Sequence, residues 1–102
     1  MSAHRLRLAV TEDAAIDLED IQAYTLTQWG KEQAREYEDA LDRAFATLRE
    51  QPQLGISRDD LLDGLRGYTV QSHIVFYLIV DDTLVVQRVL HQRMDSARAF
   101  SP

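Results

Sequence analysis

Residues 68–95, YTVQSHIVFYLIVDDTLVVQRVLHQRMD (Tyr68 to Asp95), decide the fold. Ile74 to Val80 is an unbroken apolar run rich in β-branched and aromatic residues, a composition that suits a strand buried on much of its surface. Asp81-Asp82-Thr83 interrupts it, and Leu84 to Leu90 resumes it as LVVQRVL. Two such runs with a short acidic turn between them predict a hairpin, with strands over Tyr68–Val80 and Leu84–His91. A lone hairpin is marginal in water, so the rest of the chain must cover or complete this sheet.

Upstream, Arg5 to Val10 alternates, with Leu6, Leu8 and Val10 on one face and the arginines opposite. That is a strand with one buried face. Thr11 offers an N-cap, and Glu12 and Asp13 put negative charge in a first helical turn, where the dipole favours it. Ala14, Leu18, Ile21 and Tyr24 or Thr25 recur at helical spacing, with Trp29 on the same stripe and Gly30 as a natural stop. A second helix starts at Lys31 or Glu32, carries Ala34, Tyr37, Leu41, Ala44 or Phe45, and Leu48 on its stripe, and ends at Gln51-Pro52. Helices separated by one glycine must fold back as an antiparallel hairpin. Residues 52–67 are irregular, with at most one helical turn over Arg58–Leu62, and the tail after Arg93 offers a turn of helix or a frayed end. The expected class is α+β: an N-terminal strand and a helical hairpin packed on a small, mainly antiparallel sheet. Periodicity leaves open which later strand the first one joins.

The 102 residues make one domain, residues 1–102, with 45% hydrophobic and 27% charged residues, as an ordinary globular protein has. With no cysteine there is no disulfide, thiolate zinc site or thiol nucleophile. No signal peptide and no apolar run of about 20 residues appear, so a soluble, cytoplasmic protein with no membrane partner is expected. The net charge of −6 weighs against direct, sequence-specific nucleic-acid binding. It is uneven: Thr11 to Asp63 holds 14 acids and 5 bases, and the remainder 3 acids and 6 bases.

No cofactor fingerprint, P-loop or activated nucleophile is present, and no cofactor is expected. His4, His73 and His91 are far apart, with no helical metal-binding pair, so no metal site is expected. The acid pairs Glu19-Asp20, Glu38-Asp39 and Asp59-Asp60 read as solvated faces or turn caps. Arg88, His91 and Arg93 form the best chemical cluster, having the parts for ribose-assisted RNA cleavage. Regular alternation, however, puts Arg88 and His91 on opposite faces, and Lys31 is the only lysine. The favoured reading is that His91 and Arg93 cap the last strand and pair with Asp95 or Asp59, or contact a protein. Tyr24, Trp29 and Tyr37 read as core packing, with an exposed hairpin edge that receives an amphipathic partner as the alternative.

Three segments in order then resemble the ParE toxins of the ParE/RelE superfamily. They are TEDAAIDLEDIQAYTLTQWG, QPQLGISRDDLLDGLRGY and HIVFYLIVDDTLVVQRVLHQRMD. The resemblance implies a helical hairpin on a small antiparallel sheet, inhibition of DNA gyrase without catalysis, and neutralisation by a ParD-like antitoxin in a hetero-oligomer. The related RelE branch implies a ribosome-dependent mRNA endonuclease, with Arg88, His91 and Arg93 as its catalytic candidates here. Its basic, lysine-rich surface is missing from this acidic chain, which points to the gyrase branch. By position the family pattern falls on Arg58, Asp60, Gly64, Leu65, Arg66, His73, Phe76, Tyr77, Arg88, Val89, Leu90, His91, Arg93 and Asp95. Arg58, Arg66, His73, Arg88, His91 and Arg93 are the candidate target or partner contacts. A salt-bridge network with Asp59, Asp60 and Asp95 would account for the same charges. Tyr24, Trp29 and Tyr37 are the candidate antitoxin-groove or core aromatics.

Overall fold

The computed structural model describes residues 5–101; His4, one of the three histidines weighed above, lies outside them. Strand β1 (Arg7–Val10) leads directly into helix α1 (Glu12–Trp29), and helix α2 (Lys31–Glu50) follows. The Thr11 hydroxyl caps α1 by accepting from the Ala14 N–H at 3.1 Å. Gly30 ends α1 with φ 93° and sends its N–H to the Leu26 carbonyl. Only glycine is at ease with that backbone, and α2 begins at the next residue. A 3₁₀ turn (Pro52–Leu54) then leads to β2 (Ile56–Ser57), β3 (Arg66–Val70), β4 (His73–Val80), β5 (Thr83–His91) and a helical turn α3 (Ser96–Ala99).

The five strands lie in the order β1-β5-β4-β3-β2. β1 runs parallel to β5, and the other neighbours are antiparallel. The first strand therefore joins the last. Tyr68–Val80 is not one strand. Gln71 adopts a left-handed φ of 53° and breaks it into β3 and β4, so the opening stretch contains two hairpins. The polar pair Gln71-Ser72 was the signal, hidden beside the longer apolar run.

Both sheet faces are covered. Toward the helices, Val75, Tyr77, Leu84, Val86 and Val89 pack with Tyr37, Leu41, Phe45 and Leu48, so the predicted α2 stripe is buried. On the other face, Leu65, Phe76 and Leu90 lie under Leu61, Ala99 and Phe100. Two expectations fail at the margins. Only Leu6 of the first strand's apolar face is buried, because β1 is an edge and Leu8 and Val10 stay 39% and 38% exposed. Tyr24 and Trp29 are not core: they are 64% and 70% exposed, and Thr25 takes the buried place with its hydroxyl bonded to the Ile21 carbonyl. A threonine that satisfies its own hydroxyl within the helix can sit where an aromatic would not fit.

Candidate functional site

Regular alternation breaks inside β5. Phe76 faces Arg88 but Tyr77 faces Val86, leaving Gln87 as the extra residue of a bulge. β1 has ended there, so the outer edge of β5 needs other partners. The Thr11 N–H donates to the Val86 carbonyl at 3.1 Å and its hydroxyl to the Gln87 carbonyl at 2.9 Å. Asp17 of α1 accepts the Val89 N–H at 2.9 Å and holds the Arg88 guanidinium bidentately at 2.8 and 2.9 Å. The Asp17 hydrogen bond raises the pKa of Arg88. Arg88 thus pairs with Asp17, not with Asp59, Asp60 or Asp95. The sequence reading missed Asp17, although an acid on the inner stripe between Ala14 and Ile21 calls for a buried partner.

Past the bulge, His73 and His91 are direct cross-strand partners with rings edge to face, centroids 5.2 Å apart. The Tyr37 hydroxyl donates to the Val70 carbonyl at 3.1 Å and is hydrogen-bonded to Nδ1 of His73. Burial, then the charge of His91, lowers the pKa of His73, and burial raises that of Tyr37. These three residues line a cleft of about 330 Å³ with Tyr24, Thr25, Trp29, Gln33, Gln71 and Ser72. The structure therefore joins the three candidate aromatics to two candidate histidines, a grouping that sequence spacing did not show. No acid lines this cleft.

The remaining candidates lie elsewhere. Arg93 follows His91 in a turn in which the Arg93 N–H donates to Nδ1 of His91 at 3.1 Å. Neither residue pairs with Asp59 or Asp95: Asp59 accepts from Ser57 and Gly64, and Asp95 caps α3. Arg58 forms a bidentate pair with Asp60 at 3.0 Å and sits over the Phe76 ring. Arg66, opposite Tyr77 and so roughly 13 Å along β4 from His73, donates to the Gly55 carbonyl at 2.7 Å. The six candidate residues do not converge on one point. Among the described residues, no group of three or more His, Cys, Asp and Glu side chains is placed to hold a metal ion.

A larger cleft of about 520 Å³ lies between α1 and α2. Leu18, Ile21, Tyr37, Leu41 and Phe45 form its apolar lining, with Glu19, Glu38 and Asp42 among them. Glu19 and Glu38, read from sequence as solvated helix faces, stand on this rim. Its shape suits an amphipathic helix or extended segment laid between the two helices.

Solved structures share this fold. The chain overlays the structure described as the chromosomal ParDE toxin–antitoxin system from P. aeruginosa with a TM-score of 0.73, covering 86% of this chain and 97% of that one at 20% identity. It also overlays the RelBE2 toxin–antitoxin complex from Mycobacterium tuberculosis, with a TM-score of 0.59, 86% and 99% coverage and 22% identity. Those likenesses establish the fold. Sequence establishes the family: the family described as "ParE toxin of type II toxin-antitoxin system, parDE" matches residues 8–96. Toxin ParE1 of Mycobacterium tuberculosis is 36% identical over 93 residues, covering 90% of this chain and 95% of that protein. Toxin ParE1 of Caulobacter vibrioides is 36% identical over 83 residues (81% and 85%), and Toxin ParE of Escherichia coli 32% over 87 residues (84% of each). The chain belongs to the ParE toxin family.

Proposed function

We propose that this toxin acts by protein–protein contact on DNA gyrase, without chemistry of its own, and is held inactive by a ParD-like antitoxin. The observation that carries the reading is the family match across residues 8–96. The geometry of β5 supports the non-catalytic half. Arg88 of the nuclease candidate set is held by Asp17 and so is not directed at a phosphate beside His91 and Arg93. Such a nuclease needs cations directed at phosphate and a base and acid on either side of it. The cleft between α1 and α2 supports the partner half, with an apolar floor for an amphipathic antitoxin segment and acids for its basic flank. Cytoplasmic location follows from this reading. It accords with a chain that has no cysteine and, among the described residues, no helix long and apolar enough to cross a membrane.

Inducible expression with and without the cognate antitoxin tests the proposal in cells. The expected outcome is growth arrest with DNA damage and intact messenger RNA, reversed by the antitoxin. Cleaved messenger RNA at arrest would replace gyrase with the ribosome-dependent endonuclease reading.

A further inference from the structure

Among the described residues, nothing hydrogen-bonds the outer edge of β1 beyond Leu6. Arg7 donates its N–H to the Asp82 carbonyl at 2.7 Å and Thr11 its N–H to the Val86 carbonyl at 3.1 Å, so odd-numbered positions turn their backbone groups toward β5. Strand geometry then points the backbone N–H and C=O groups of Leu6, Leu8 and Val10 away from β5. Leu6 is covered: its N–H reaches the Arg49 carbonyl at 3.0 Å, and Arg49 Nε returns to the Leu6 carbonyl at 2.7 Å. Leu8 and Val10 have no such partner among the described residues, and their side chains are about two-fifths exposed. The strand carries neither proline nor bulge to blunt this edge.

We infer that two copies of the chain pair through this edge, β1 against β1, antiparallel about a two-fold axis at Ala9. That register sets Leu8 opposite Val10 of the second copy, each pair exchanging both of its hydrogen bonds. Charge selects both the occupant and the orientation. Exposed Arg5 and Arg7 lie at one end of the strand, and exposed Glu12 and Asp13 follow the other. Antiparallel pairing brings the basic end of each copy to the acidic end of its mate; parallel pairing would set like against like. One strand thus supplies both halves of a complementary contact, which a chemically different partner would have to provide separately. The interface is small, so the dimer is reversible, with a dissociation constant on the order of micromolar or weaker.

Sedimentation equilibrium on the purified full chain over roughly 1–500 µM tests this. The expected result is a concentration-dependent monomer–dimer equilibrium, abolished by Leu8→Pro. Proline there removes only an outward N–H, as edge strands tolerate. A companion pair uses charge: Arg5→Glu/Arg7→Glu and Glu12→Lys/Asp13→Lys chains should each dimerise about tenfold more weakly alone and form a heterodimer when mixed. The mixing result decides the matter should circular dichroism show Leu8→Pro unfolded. A chain that stays monomeric throughout, or a dimer untouched by both sets of changes, overturns the inference. So does a monomer in which Leu8→Pro abolishes antitoxin binding, since the edge would then belong to that partner.

Discussion

At the residue scale, two side chains carry most of what sequence could not show. Asp17 binds Arg88 twice and the Val89 N–H once, doing at the bulge what a longer β1 would have done. Its side chain is 12% exposed and that of Arg88 25%, so water screens the pair only in part. Asp17→Ala should therefore cost about 2–3 kcal/mol in urea unfolding, more than an exposed ion pair would. The exposed Arg58–Asp60 pair provides the contrast: Asp60→Ala should shift the midpoint little. His73 gives the pH dependence. Burial and the charge of His91 hold its imidazole below its ordinary 6.5, so between that value and the folded one the unfolded chain binds more protons. Its contribution is complete above 6.5 and is lost as pH falls through the folded value. Melting temperature should drop as pH falls below about 6.5, and His73→Gln should flatten that drop. The candidate charges were legible as residues but their partners were not. Asp17 and Arg88 are 71 positions apart, and they meet next to the bulge at Gln87, which no local pattern announces.

At the element scale, the readable parts were those with a strong period or a clear stop. The α2 stripe, the Thr11 cap, the Gly30 stop and the hairpin turn at Asp81-Asp82 all lie where local chemistry decides. What stayed hidden depended on neighbours. β2 is two residues long and exists only because β3 offers it an edge, and Tyr77 ties down the connection before it. The Tyr77 hydroxyl donates to the Pro52 carbonyl at 2.6 Å and accepts the Gly55 N–H at 2.9 Å, close enough to leave no room for a Cβ at Gly55. The α1 stripe was legible down to the choice between Tyr24 and Thr25, which burial decides for Thr25, and it failed at Trp29, which is exposed. The Gly30 stop is testable at this scale. A Cβ at Gly30 would meet no atom within 4 Å, so the cost of Gly30→Ala is purely the left-handed backbone. The expected loss is about 1–2 kcal/mol, measured by chemical denaturation. It should leave secondary structure unchanged by circular dichroism.

At the scale of the whole molecule, charge and shape divide the surface into distinct faces. Acids accompany the apolar lining between α1 and α2, where an antitoxin segment is proposed. Histidines and exposed aromatics line an acid-free cleft near the β3–β4 turn, and the edge of β1 stands apart from both. Under the proposed function, an antitoxin bound between α1 and α2 would leave the histidine cleft and the β1 edge uncovered. A purified supercoiling assay tests the central claim most directly, with gyrase, relaxed plasmid and the folded toxin in excess. The account predicts loss of supercoiling with accumulation of cleaved DNA, prevented when the antitoxin is added first. Full supercoiling at every toxin concentration would contradict it.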